Sequence, residues 1–172
     1  MIRKVQTEDA EAIAAIYNHY IAQTTITFET ELVSTEEMKR RILSISRNYP
    51  YWIYEEKGEI AGYCYAHQWK EKEAYQCTAE TTIYIKPEYT GKGIGKKIML
   101  HLINSCRERN LHTLIACITY PNEASMHLHE QLGFQLVSHF HEVGRKFDQW
   151  LDVCDYEPVS YTHLRAHETL RH

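Results

Sequence analysis

"KPEYTGKGIGKKIML", residues 86–100, places glycine at three alternate positions, Gly91, Gly93 and Gly95, directly before a helical pattern of apolar residues. The free N–H groups and the positive dipole end of a helix start bind anions, phosphate above all. The spacing matches neither the G-x-x-x-x-G-K-[ST] loop nor the dinucleotide loop G-x-G-x-x-G. The stretch therefore predicts a strand, an anion-binding loop and a helix, with a plain turn before an ordinary helix as the alternative.

Apolar periodicity and cap residues predict the elements around this loop. Thr7 is expected to cap a first helix, and the sequence STEE at 34–37 is a capping box that opens a second. Two runs rich in Tyr, Ile and Trp on either side of Lys57-Gly58 predict a hairpin, and Asn122 is expected to cap a last helix. The element order β-α-α-β-β-β-α-β-α-β-β predicts a mixed α/β layer fold.

The composition of the chain excludes some classes of partner without reference to any motif. The chain has 172 residues, enough for one domain, and its 19 basic and 23 acidic residues give a net charge of -4. A general nucleic-acid binder needs a basic face, so nucleic acid is not expected as a partner. No stretch is long enough to span a bilayer, so no membrane partner is expected either.

The cysteines predict neither a metal site nor a redox site. They number five, form no C-x-x-C motif and each fall within an apolar stretch, which predicts buried thiols in a reducing cytoplasm. These residues are Cys64, Cys77, Cys106, Cys117 and Cys154. We therefore expect a cytoplasmic protein without a metal.

Five further stretches accompany the glycine loop in a fixed order: YNHYI (17–21), TFETE (27–31), AYQCTAETTIYI (74–85), PNEASMHLHEQLGF (121–134) and GRKFDQWLDV (144–153). Together they resemble the GNAT superfamily of N-acetyltransferases, and within it the phosphinothricin and methionine sulfoximine acetyltransferase subgroup. The resemblance covers residues 1–157. It implies a single-domain GNAT fold, a mixed and mostly antiparallel twisted sheet of about seven strands flanked by four helices.

The resemblance implies acetyl-CoA as co-substrate and no metal. In the superfamily the loop reads Q/R-x-x-G-x-G/A, and its backbone N–H groups hold the pyrophosphate. Here Thr90 stands where Gln or Arg is usual, and Lys92 or Lys96 could supply the missing charge. The residues implied to bind the cofactor are Ile83, Ile85, Thr90, Gly91, Lys92, Gly93, Ile94, Gly95, Lys96, Asn122 and Ser125.

The resemblance also implies two catalytic residues. Glu80 occupies the position of the general base that deprotonates the amine; alternatively, it is a strand-edge carboxylate that faces solvent. His129 occupies the position of the acid that protonates the departing thiolate; alternatively, it only contacts the cofactor. A backbone N–H near Thr82 or Ile83 would meet the oxyanion. The acceptor site would include Phe28, Glu29, Tyr75, Lys146 and Trp150.

The function implied is acetyl transfer to the primary amine of a small amino acid or amino-acid analogue, in a homodimer. Polyamines and protein N-termini remain alternative acceptors. A polyamine site should carry several acids, whereas Glu29 here accompanies Lys146. A non-catalytic acyl-CoA sensor is the alternative from another class of protein, and the presence of Glu80 beside the glycine loop argues against it.

Residues 158–172 form a separate C-terminal segment. YTHLRAHETLRH (161–172) has no apolar periodicity and three histidines. With Val159-Ser160 it resembles a translated sequencing adapter, and a disordered natural tail is the alternative. Residues 159–172 are therefore left out of the functional interpretation.

Overall fold

The computed structural model describes residues 1–159, and one sheet of seven strands organises them. The strand order is β1-β2-β3-β4-β5-β7-β6, and every neighbouring pair is antiparallel except β4–β5. This confirms the predicted single-domain mixed sheet. The strands are β1 (Ile2–Lys4), β2 (Tyr51–Glu56), β3 (Glu59–Gln68), β4 (Thr78–Ile85), β5 (Thr113–Tyr120), β6 (Phe134–Lys146) and β7 (Gln149–Pro158).

Four α-helices cover the two faces of the sheet, as predicted. They are α1 (Ala10–Gln23), α2 (Thr35–Ser46), α3 (Ile94–Glu108) and α4 (Glu123–Gln131). Successive side chains of a strand point to opposite faces of the sheet, where they pack against different helices. Tyr63 on β3 packs with α1 and α2, and its neighbour Cys64 packs with α3. No helix of the described chain combines the length and apolarity needed to cross a bilayer.

The parallel pair β4–β5 opens a cleft in the middle of the sheet. Each strand has eight residues, but the ladder joins only Thr78–Thr81 to Thr113–Ala116. Beyond this point the carboxyl-terminal halves of β4 and β5 are not paired to each other. Parting parallel strands leave space between the sheet layers, and ligand sites are common at such positions.

Three of the four helix starts follow the sequence signals. Ser34 Oγ accepts the Glu37 N–H at 3.1 Å, and Asn122 Oδ1 accepts the Ser125 N–H at 3.2 Å. The predicted cap at Thr7 is wrong, because residues 7–9 form a single 3-10 turn and α1 begins at Ala10. The predicted cap fails because of Asp9, whose carboxylate accepts the Gln6 N–H at 2.7 Å and caps the turn instead.

The prediction that all cysteines are buried is wrong for Cys77 and Cys117, which are exposed. Cys77 precedes β4, outside the sheet core. Cys117 lies on β5 between the buried residues Ala116 and Ile118, so strand alternation turns its side chain to the opposite face.

The last strand extends slightly beyond the predicted domain limit at residue 157. β7 ends at Pro158, and the Val159 N–H donates to the Gly133 carbonyl at 2.8 Å. The adapter interpretation of the C-terminal segment falls on residues 160–172, which lie outside the described residues.

Candidate active site

A cavity of about 250 Å³ occupies the cleft between β4 and β5. Both strands contribute to its wall, with Glu80, Thr82 and Cys117 among the lining residues. Ile26–Phe28, in the loop between α1 and α2, and the start of α4 complete it. Val153 of β7 also lines it, so the cavity lies where four parts of the sequence meet: the α1–α2 loop, β4, β5 with the following α4, and β7.

The glycine loop presents free backbone donors at the start of α3. Gly91 and Gly93 have φ angles of 76° and 80°, a conformation that suits glycine and turns the backbone sharply. Lys97 N–H bonds back to the Gly93 carbonyl at 3.3 Å, and the N–H groups of the first helical turn before it have no intrahelical acceptor. This end of the helix is thus arranged for an anion.

Side chains around the loop add positive charge but no replacement for the missing Gln or Arg. Lys92 and Lys96 are exposed, and the Lys92 ammonium lies 5.3 Å from the centre of the Tyr89 ring. Thr90 donates its hydroxyl proton to the Pro87 carbonyl at 2.8 Å. Thr90 therefore caps its own turn, and the two lysines are the cations beside the free N–H groups.

Glu80 stands at the wall of the cavity beside a histidine from the neighbouring strand. The register of β3 and β4 places His67 opposite Glu80, and His67 Nε2 lies 3.4 Å from Glu80 Oε2. The two side chains are 31% and 28% exposed, so water reaches both. His67 was missed in the sequence analysis, because only the pairing of β3 with β4 brings it to this position.

Cys117 is a second group near Glu80 that was not predicted as part of the site. Although Cys117 is exposed at the cavity wall, the protein atoms around its thiol desolvate it and raise its pKa to about 12, and the carboxylates of Glu80 and Asp155 add to the effect. A neutral thiol is a poor nucleophile at pH 7. The cavity therefore favours direct transfer between two bound substrates over a covalent cysteine intermediate.

His129 lines the cavity from α4 in a defined tautomer. Its ring is 3% exposed, and its Nδ1–H donates to the Ser125 carbonyl at 2.7 Å. Burial lowers the pKa of His129. The neutral ring consequently keeps a lone pair on Nε2, whereas an acid must carry a proton there. The general-acid role stays a prediction.

The remaining predicted cofactor residues divide into two groups. Ile83, Asn122 and Ser125 line the cavity, and Ile85 does not. The Ile85 carbonyl instead accepts a hydrogen bond from the Tyr20 hydroxyl. Thr81, also in the lining, carries the one buried side-chain oxygen of the described residues without a hydrogen-bond partner.

The predicted acceptor residues are only partly brought together. Phe28 lines the cavity, whereas Tyr75 packs edge-on against Trp69 and Trp150 is 57% exposed beneath Arg145. Neither Tyr75 nor Trp150 reaches the cavity within one chain, and their role stays a prediction.

Two charged members of the predicted acceptor site have partners of their own. Glu29 forms a two-pronged ion pair with Arg41 at 2.8 and 2.9 Å, and this pair lowers the pKa of Glu29. Lys146 is only 4% exposed and donates to the Thr27 carbonyl at 2.8 Å. Burial lowers the pKa of Lys146. Neither Glu29 nor Lys146 lines the cavity, and the role of both residues in acceptor binding stays a prediction.

Comparison with known proteins shows which family has this kind of sequence. Residues 2–154 match the acetyltransferase (GNAT) domain model. Phosphinothricin N-acetyltransferase of Streptomyces coelicolor is 38% identical over 160 residues, which are 91% of this chain and 94% of that protein. L-methionine sulfoximine/L-methionine sulfone acetyltransferase of Salmonella typhimurium is 33% identical, over 88% of this chain and 90% of that protein.

A solved structure agrees with these relatives. The GNAT superfamily phosphinothricin acetyltransferase from Sinorhizobium meliloti, crystallised in complex with AcCoA, superposes with a TM-score of 0.88 at 33% identity. The match covers 91% of this chain and 86% of that one.

Proposed function

This chain belongs to the GNAT acetyltransferase family and is an N-acetyltransferase, and we propose that it acetylates the primary amine of a small amino acid or amino-acid analogue. The relatives named for phosphinothricin and for methionine sulfoximine support an acceptor of that type. The observation that carries the proposal is Glu80, a water-accessible carboxylate at the wall of the cleft cavity.

The proposed site for acetyl-CoA is the glycine loop together with the cleft. The free N–H groups at the start of α3 suit a pyrophosphate, and Lys92 and Lys96 supply charge beside it. Asn122 and Ser125 line the route from the loop side into the cavity, where the unpartnered Thr81 hydroxyl would find an acceptor or donor. The residues present therefore fit the co-substrate.

In the proposed reaction Glu80 makes the amine nucleophilic. An α-amine with a pKa of about 8 is mostly protonated at pH 7, so the ammonium proton must leave before attack. Glu80 accepts it directly or through water, and His67 at 3.4 Å offers a path for the proton to solvent. The amine nitrogen then bonds to the acetyl carbon and gives up its surplus proton to water, and the carbon–sulfur bond breaks to leave the amide and the CoA thiolate. A proton from solvent or from His129 completes the product thiol.

The charges near the cavity favour an acceptor with an anionic head group. Lys146 has three N–H donors and uses one of them on the Thr27 carbonyl. A carboxylate or phosphinate is a suitable partner for the others, since charge-assisted bonds are the stronger kind. A polyamine would instead need several free carboxylates, and Glu29 is already paired with Arg41. Lys146 is thus proposed as the specificity residue.

We further propose a cytoplasmic homodimer. All five cysteines are free, which suits a reducing compartment. The edge strand β6, the turn after it and the first residues of β7 expose a run of large apolar side chains, which in a monomer is a liability for edge-to-edge association. These side chains belong to Leu136, Val137, Phe140, Val143, Phe147 and Trp150, and are between 44% and 58% exposed.

A panel of acceptors tests the proposed function. The wild-type protein is assayed with acetyl-CoA by release of free thiol, with phosphinothricin, methionine sulfone, a polyamine and a peptide N-terminus as acceptors. Glu80→Gln keeps the side-chain size and is expected to lower turnover about 10²-fold at pH 7, the scale of a lost general base. The loss should shrink as the pH rises, because more acceptor then arrives neutral.

Glu130→Gln is the matched control, because Glu130 is exposed on α4 outside the cavity lining. It should leave turnover unchanged. Wild-type turnover with an unshifted pH profile in Glu80→Gln would exclude Glu80 as the base. Absence of thiol release with every amine, despite acetyl-CoA binding, would identify an acyl-CoA sensor instead.

A further inference from the structure

Two histidines and an aspartate meet on β6 and β7, away from the cleft cavity. Asp152 Oδ2 lies 2.8 Å from His139 Nε2 and 3.2 Å from His141 Nδ1. All three atoms lie within 4.8 Å of one another. None of these residues lines the cavity, although Val153, the neighbour of Asp152, does. The cluster is therefore a separate feature of the β6–β7 hairpin.

The two histidines share one face of β6, and a bulge follows them. Residues two apart on a strand point to the same side, and the rings of His139 and His141 stack with their centres 4.4 Å apart. The antiparallel pairing, with Phe140 opposite Val153, brings Asp152 of β7 beside them. Beyond Phe140 the register against β7 shifts before Gly144, and Glu142 within this segment has a φ of 52°, which is uncommon outside glycine.

The aspartate is held in the orientation that a ligand needs. Its Oδ1 accepts the Glu142 N–H at 2.8 Å, which leaves Oδ2 facing both rings. The ring of Tyr120 packs against that of His139 at 4.8 Å. Such outer contacts orient the ligands of metal sites.

We propose that His139 Nε2, His141 Nδ1 and Asp152 Oδ2 bind a divalent transition-metal ion of the zinc type. Two imidazoles with one carboxylate form a common ligand set for such ions, and water completes the coordination. A tetrahedral ion with bonds of about 2.0–2.2 Å spaces its ligands roughly 3.3–3.6 Å apart. The 3.2 Å distance from His141 Nδ1 to Asp152 Oδ2 is close to this range, whereas the 2.8 Å distance from His139 Nε2 would lengthen by about 0.5 Å when an ion binds. His141 is 75% exposed and is free to adjust.

A bound ion would join the bulge of β6 to β7. The same hairpin carries Lys146, the proposed specificity residue, at the end of β6. Hydrogen bonds alone give the exposed His141 little reason to stay in place, since exposed ion pairs contribute little. The ion is therefore expected to stabilise the hairpin, and hence to raise the melting temperature Tm, without taking part in acetyl transfer.

Zinc titration of the full chain tests the proposal. After removal of bound metal with EDTA, calorimetry should give one saturable equivalent of Zn²⁺ at micromolar concentration or below. Zinc at one hundred times its Kd should raise Tm by about 5–10 °C. His141→Ala and Asp152→Asn should each abolish the binding and the rise in Tm. Because His141 is mostly exposed, its replacement is not expected to impair folding.

The histidines at 163, 167 and 172 require a control, because a histidine-rich segment binds metal by itself. A chain with these three replaced by Gln should still bind one Zn²⁺ with the same affinity. Cobalt-loaded protein should show the visible absorption of a coordinated ion, lost in His141→Ala. Zinc binding that survives His141→Ala or disappears in the triple Gln variant would overturn the proposal, as would the lack of saturable binding.

Discussion

The charge state of His129 follows from its burial and from its bond to the Ser125 carbonyl. In the unfolded chain this imidazole titrates near pH 6.5, whereas burial lowers its pKa in the folded chain. As the pH falls through about 6.5, the unfolded chain takes up a proton that the folded chain resists. The folded state therefore loses stability on the acid side, and keeps it above pH 6.5.

His129→Gln tests this linkage. The variant removes the titrating ring, so its Tm should fall less than that of the wild type between pH 7.5 and pH 5.5. The sign of this difference follows from the lowered pKa of His129. Differential scanning calorimetry at several pH values gives the slopes, and an overall offset between the proteins does not affect the comparison.

His127→Gln is the control on the same helix, because His127 is exposed. Its pH dependence should match that of the wild type. If His129→Gln has the wild-type slope, His129 is protonated in the folded chain at acid pH, and its role as the general acid gains support.

Predictions for single residues were correct where the interaction depends only on residues nearby in sequence. Asn122 and Ser34 cap helices because the cap depends on residues three positions away. The His67–Glu80 contact and the Glu29–Arg41 pair depend on long-range register and helix placement, which one sequence does not encode in a readable pattern. The H-x-H sequence at 139–141 places both rings on one face of β6, but the cluster also needs Asp152, which only the pairing of β6 with β7 brings beside them.

At the scale of elements, the glycine loop joins β4 to α3 through two residues with positive φ. Gly93 is the N-cap of α3, and a Cβ built on it meets no atom within 4 Å. Replacement by alanine would thus cost backbone strain of about 1–3 kcal/mol without a steric clash. Relief of that strain would move the N–H groups that are proposed to hold the pyrophosphate.

Gly93→Ala is therefore expected to raise the KM for acetyl-CoA at least tenfold and to leave the KM for the acceptor nearly unchanged. Gly58→Ala is a matched control, because Gly58 has a φ of 79°, also meets no atom within 4 Å and lies in the β2–β3 turn. Both variants should lose similar Tm, and only Gly93→Ala should affect acetyl-CoA. If the two variants have the same KM for acetyl-CoA, the proposal that the glycine loop binds the cofactor is wrong.

The elements themselves were largely predictable, since amphipathic periodicity and caps act within a few residues. The order of helices and strands agrees with the sequence prediction throughout. The failure at Thr7 came from Asp9, whose side chain competes for the same turn and also pairs with Arg3 at 2.8 Å. The β6 bulge was not predicted, because the sequence of β6 alone does not show where its register against β7 shifts.

At the scale of the whole molecule, the cleft depends on a strand order that periodicity does not contain. β7 lies between β5 and β6, and the parallel pair β4–β5 separates after four residues. The family resemblance implied a mixed and mostly antiparallel sheet of about seven strands, but the order of the strands and the parting of β4 from β5 were not predicted. The resemblance also led to the homodimer, for which the exposed edge of β6 is the physical support.

Val143→Asp tests whether that edge forms the dimer. Val143 is 58% exposed on β6, and a charge there would be buried without a partner in an interface. Sedimentation velocity should give twice the 20.3 kDa mass of one chain for the wild type and the single mass for the variant. Leu43→Asp is the control, because Leu43 is 54% exposed on α2, away from β6.

The two variants separate the possible outcomes. A dimer that survives Val143→Asp but dissociates in Leu43→Asp would place the interface on the α2 side and contradict the β6 edge. A monomeric wild type would contradict the dimer itself, and the exposed apolar side chains of β6 would then have no partner surface. If Val143→Asp is monomeric and folded, its turnover decides a further point. Tyr75 and Trp150 do not reach the cavity of their own chain, so lost activity in a stable monomer would indicate that a site is completed across the interface.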